Sequence, residues 1–207
     1  MNIKNSAVIF MYHKFGNSKY PSTNIKLDQF EKHLLEFSLS KYNVKSLDHI
    51  IDTIINDGNL PKNTIGISID DADKSFLTTA WPRFKEKGFP VTLFVSASTI
   101  FKNNKNYLNW DEIRQLHSEG VTIGSHSDTH PHLTDLNIKD LINEIENSNK
   151  IFLKELGKIP NLFAYPYGET NEKIIDVLKN YKNRELMTVM VKAIQELSAK
   201  VTALENA

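Results

Sequence analysis

An α/β fold built on parallel strands is predicted by two patterns. Short β-branched or apolar runs alternate with longer stretches of helical period, the order expected of an α/β sheet or barrel rather than a sandwich. Several runs are continuously apolar, as strands buried on both faces should be. Sequential βα units imply right-handed crossovers and put the ligand site at the carboxyl ends of the strands.

In chain order the predicted strands are Ala7 to His13, Asn43 to Ser46, Thr64 to Asp70, Val91 to Ser96, Val121 to Ser125 and Asn161 to Tyr165. Each is an apolar or β-branched run. The helices between them are Leu27 to Ser40, Leu47 to Asn56, Lys74 to Lys87, Trp110 to Ser118, Ile138 to Leu156 and Asn171 to Asn180. Asn109, followed three residues on by Glu112, has the pattern of a capping box, and Gly88, Gly120 and Gly157 stand where helices stop.

The 207 residues have room for one large core, or one domain with an appendage. Twenty-five Lys and Arg balance twenty-five Asp and Glu, which excludes a global basic field for nucleic acid or anionic membrane. The absence of cysteine excludes disulfides, thiolate zinc sites and cysteine nucleophiles, so any metal must use His, Asp or Glu. At 40% apolar residues the chain is expected to be globular and soluble, with no membrane-length apolar stretch. Lys4 precedes an apolar run, Ala7 to Tyr12, that is too short for a signal-peptide core, so the chain as written is expected to be cytoplasmic.

A change of composition near Lys182 divides the chain into a domain at 1–182 and a tail at 183–207. Met187, Met190, Ile194, Leu197, Val201 and Leu204 alternate steps of three and four, the heptad spacing. The tail reads equally as a terminal helix packed on the body or as a coiled coil that makes a homo-oligomer through 186–205.

Three segments could carry chemistry. Asp70 and Asp71 end the third strand, where adjacent residues point to opposite sides and two carboxylates can take different tasks. Taken alone, such acids more often cap the following helix, and Asp73 fits that role. After the fifth strand, His126 and His130 are four apart; in a turn or a helical first turn this brings two imidazoles to one side, where they could share a zinc ion with Asp71. A lone pair of this spacing more often lies in a solvated loop. The third segment, Phe163 to Gly168, puts Pro166 and Gly168 around Tyr167, a rigid loop able to turn a backbone N–H toward an oxyanion. By itself it reads as an ordinary aromatic turn.

Together and in this order, the segments resemble the polysaccharide deacetylases of carbohydrate esterase family four, the NodB homology domain, over roughly Ala7 to Tyr181. The resemblance implies a deformed (β/α) barrel. It implies Asp70 as general base, a divalent metal, most often zinc, on Asp71, His126 and His130, and the Tyr167 amide in the oxyanion hole. The implied reaction is removal of N-acetyl groups from an amino-sugar polysaccharide: chitin-like, peptidoglycan or poly-N-acetylglucosamine. The implied location is the periplasm or cell envelope. The tail resembles the closing helix of phage endosialidase-type chaperone domains.

Two positions depart from the family pattern. An Arg that tethers the base is replaced by Ala164, and the late His that acts as general acid has no counterpart, since no His follows His132. The barrel is therefore expected to be incomplete and turnover weak, unless His13 or His132 reaches the metal site. His13 reads equally as a rim residue or a structural histidine, and Trp81 and Trp110 as core. The competing class is a deacetylase-like carbohydrate-binding or assembly module oligomerised by its tail.

Overall fold

The computed structural model describes residues 6–16, 22–102 and 104–180. The boundary at 182 and the helix or coiled coil expected at 183–207 lie outside the described residues. The elements are β1 (Ala7–Tyr12), β2 (Lys14–Phe15), β3 (Asn24–Ile25), α1 (Leu27–Phe37), β4 (Asn43–Val44), α2 (Leu47–Ile55), β5 (Thr64–Ile69), α3 (Trp81–Glu86), β6 (Thr92–Val95), α4 (Trp110–Ser118), β7 (Thr122–Ser125), α5 (Ile138–Leu156) and α6 (Glu172–Asn180). None of the described helices is long and apolar enough to cross a membrane.

The strand β5 is the centre of a five-stranded parallel sheet. β1 pairs with its whole length, from Ala7 on Thr64 to Tyr12 on Ile69. Its other edge is shared by β4 at the start and β6 at the end, and β6 continues to β7. Every residue of β5 is buried, which its Thr-Ile-Gly-Ile-Ser-Ile sequence permits. Ile65, Ile67 and Ile69 pack on one face with Phe30 and Leu34 of α1, Phe84 of α3 and Ile113 and Leu116 of α4. On the other face Ile9 and Phe94 pack with Leu47, Ile50 and Ile51 of α2 and with Leu162. Trp81 and Trp110 are buried, as expected of core residues.

That second layer is tight. A Cβ on Gly124, two residues before His126, would lie 2.4 Å from the Phe94 ring. Gly124→Ala is accordingly expected to cost about 1–3 kcal/mol by overpacking, read as a lower thermal midpoint. An unchanged midpoint would show that Phe94 can move aside.

The α/β fold on a parallel sheet is as expected, and among the described residues the sheet does not close: β1 pairs only with β5, and α2 and Leu162 cover one face. Several element boundaries are corrected. The strand expected at Asn161 to Tyr165 is a single bridge, Ser125 to Phe163, because Pro160 and Pro166 offer no N–H to extend it. Ser46 does not end a strand; its hydroxyl accepts from the His49 N–H and caps α2. The helix expected at Lys74 to Lys87 opens with a π turn at Phe76–Ala80. Pro82 supplies no N–H there, and Trp81 N–H donates to Phe76 O instead. The α4 and α5 limits agree with expectation, fixed by the Asn109–Glu112 capping box and by Gly157 at φ 71°.

Candidate metal and active site

The first segment of the site is an extension of the β1–β5 ladder. Asp70 N–H donates to Tyr12 O at 2.8 Å, which holds Asp70 in register one residue beyond β5. The chain then turns through two left-handed residues, Asp71 (φ 69°) and Ala72 (φ 54°). Leu108 N–H donates to Ala72 O and pins the turn. Asp73 has the capping role expected of it: its Oδ1 accepts from the N–H and the hydroxyl of Ser75.

The second segment follows β7. His126 N–H donates to Val95 O, and Ser96 Oγ donates to His126 O, fixing the first histidine on the sheet. The loop then folds back through left-handed Ser127 (φ 66°) and His130 (φ 63°). The two imidazoles meet through this reversal, not through a helical turn. Glu144 of α5 holds the loop from behind, accepting from Asp128 N–H and Thr129 N–H at 3.0 Å each and from Thr129 Oγ1 at 2.6 Å. No local sequence signal marked Glu144, because its partners lie about fifteen residues away.

Asp71, His126 and His130 offer ligand atoms that all lie within 4.8 Å of one another. The two Nε2 atoms are 3.1 Å apart, and Asp71 Oδ1 is 3.5 Å from that of His130 and 3.8 Å from that of His126. Bonds of about 2.0–2.1 Å to a tetrahedral ion place its ligand atoms about 3.3 Å apart, so the set fits a divalent cation of zinc size. His126 Nδ1 lies 2.9 Å from Ala164 O, the carbonyl that defines its tautomer and leaves Nε2 as a lone pair. Burial lowers the pKa of His126, and burial with the neighbouring His126 lowers that of His130, so both rings favour the neutral, metal-competent form. Without a cation or a shared proton, two nitrogen lone pairs would face each other at 3.1 Å.

Asp70 lies beside this group and is buried, with Oδ1 unpartnered among the described residues. Burial, opposed by His13 and reinforced by Asp71, pushes its carboxyl up to about 7. His13 stands just past β1 with Nε2 4.0 Å from Asp71 Oδ2, the carboxylate oxygen other than the one paired with His126 and His130. Tyr167 occupies a 3₁₀ turn, Pro166–Gly168, at φ 59° and ψ 7°; the residue is 57% exposed and its ring meets that of His130 at an edge, 4.7 Å between centroids. Gly168 N–H and Glu169 N–H close the turn on Tyr165 O and Pro166 O. All five predicted site residues thus share one rim with His13.

Comparison with known proteins bears on this constellation. A family model described as polysaccharide deacetylase matches residues 57–186. A putative polysaccharide deacetylase of Bacillus subtilis (strain 168), YxkH, is 23% identical over 167 residues, covering 81% of this chain and 58% of its own length. A poly-beta-1,6-N-acetyl-D-glucosamine N-deacetylase of Staphylococcus aureus (strain MSSA476) is 23% identical over 204 residues, covering 85% of this chain and 69% of that protein. Among solved structures, Streptococcus pyogenes deacetylase PplD in complex with acetate has a TM-score of 0.76 at 20% identity, covering 84% of this chain and 79% of that one. IcaB from Ammonifex degensii has a TM-score of 0.75 at 19% identity, with 85% and 80% covered. At these identities the structures speak for the fold, which is that of the deacetylases.

Proposed function

The chain belongs to the polysaccharide deacetylase family, and from that premise we propose that it removes N-acetyl groups from an amino-sugar polysaccharide by metal-assisted hydrolysis. The observation that carries the reading is the meeting, at one rim, of a carboxylate and two imidazoles with a second, buried carboxylate that has an oxygen unpartnered among the described residues. Poly-β-1,6-N-acetylglucosamine is the first polymer to test, since the S. aureus relative is named for it. Chitin-like oligomers and peptidoglycan follow.

Asp71, His126 and His130 would hold the ion, with zinc the choice for a two-His, one-carboxylate set in this fold. When bound, it supplies a Lewis acid that polarises the acetyl carbonyl and acidifies water. Asp70 takes the proton of the attacking water, its free oxygen being the acceptor, and the Tyr167 N–H donates to the oxyanion as the carbonyl carbon becomes tetrahedral. The C–N bond then breaks. The leaving nitrogen needs a proton, and His13 is the group we assign to deliver it, because it borders Asp71 at the oxygen other than the one paired with the two imidazoles. Acetate and a free amine result. His13 is thus our assignment for the acid role that no late His fills.

Acetate release from these polymers, matched by new free amine and lost on chelation, is the test. A metal-loaded chain that releases none from any of them would leave the carbohydrate-binding module in its place. His13→Ala is expected to lower kcat by about 10²- to 10⁴-fold with metal content unchanged. Parent-like turnover in that variant would remove His13 from the reaction.

A further inference from the structure

The loop that carries His130 and the loop that carries Tyr167 are tied together by side chains with no part in the reaction above. Tyr167 holds a left-handed backbone that a bulky residue adopts only when its surroundings impose it. Burial does not impose it, since the residue is more than half exposed. The ring meets His130 at an edge, 4.7 Å between centroids, and is covered by His132, stacked on it with centroids 3.9 Å apart and planes 10° from parallel. His132 Nδ1 is in turn 2.9 Å from Glu169 Oε2, to which Thr134 Oγ1 also donates at 3.4 Å.

The connectivity makes this more than a surface contact. His132 lies two residues beyond His130, and Glu169 two residues beyond Tyr167. The stack runs from the first loop to the second and the hydrogen bond runs back, so the two loops are cross-braced at adjacent points. We propose that His132 and Glu169 are positioning residues, which fix the Tyr167 turn relative to His130 and hence the oxyanion-binding N–H relative to the metal ligands. This rests on the catalytic reading given above. Both side chains are nearly half exposed, so their bond adds little to global stability. It acts on one strained turn, where a small displacement of a catalytic donor is costly.

Two measurements test the brace. The first needs no substrate: hydrogen exchange at the Gly168 and Glu169 amides, whose bonds close the turn, is expected to quicken about tenfold in His132→Ala and in Glu169→Ala. His132→Phe, which keeps a ring to stack, should return it toward the parent rate. Exchange unchanged in both alanine variants overturns the proposal. The second is a kinetic split on the N-acetylated polymer. Both alanine variants should lose about tenfold in kcat, with KM and bound zinc held within about twofold, and His132→Phe should recover most of the loss. Loss confined to KM, or no rescue by Phe, also overturns it. If the parent releases no acetate while exchange responds as described, the catalytic reading falls and the brace stands.

Discussion

Asp70→Asn is expected to lower kcat by about 10²- to 10⁴-fold, the range for loss of a positioned general base. In the metal-free chain the same change should raise stability at neutral pH. The carboxyl is buried, with one oxygen unpartnered, and its folded value stands at about 7 against an ordinary 3.8. Below the ordinary value both folded and unfolded chains hold the proton and nothing is lost. Between the two values the folded chain keeps a proton that the unfolded chain releases, so stability falls as pH rises. Above about 7 the full cost of a buried charge remains, on the order of 4 kcal/mol. Asparagine carries no charge, so its thermal midpoint should exceed the parent's at pH 8 and converge with it near pH 4, both under chelator. An equal difference at the two pH values would contradict the burial argument, and undiminished turnover would remove Asp70 from the reaction.

His126→Ala should reduce bound zinc from about one per chain to near zero after dialysis. Altering even the partner of a metal ligand typically costs 10- to 100-fold in affinity, and removing the ligand itself should cost at least that. Because His126 is almost fully buried, the substitution also leaves a void. His130→Ala, at the more open end of the pair, provides a variant less dependent on packing. Retention of zinc at the parent level by both would show that the ion sits elsewhere.

Much of the fold could be read locally. The Asn109 box and the Gly157 stop are interactions within a few residues, and α4 and α5 follow them closely. Pro82 was equally visible, yet its consequence, a π turn in place of a continuous helix, depends on how the backbone groups of that turn are satisfied; Arg83 Nη1 donates to Thr79 O at 2.6 Å. The strand lost at Asn161 to Tyr165 had the composition of a strand but prolines at both approaches. At the rim, the residue types and their order drew attention to Asp70, Asp71, His126, His130 and Tyr167. Their convergence depends on left-handed turns that no residue type announced. Glu144 and Glu169 were invisible because each acts on a loop distant in sequence, and His13 could be placed at the rim but not beside Asp71.

Five residues of the rim, Asp71, Ala72, Ser127, His130 and Tyr167, hold positive φ without being glycine. Such a conformation at a non-glycine residue costs of order 1–3 kcal/mol, drawn from the stability of the surrounding sheet. Laboratory evolution should expose that debt. A library of this chain selected only for survival at high temperature has its most accessible gains at the rim, with glycine at Ala72 or Ser127 and a neutral residue at Asp70. Heat selection without a screen for acetate release should therefore enrich clones that are sturdier and chemically silent, whereas alternating the two selections should push the gains into α1 and α6, far from the turns that carry the strain.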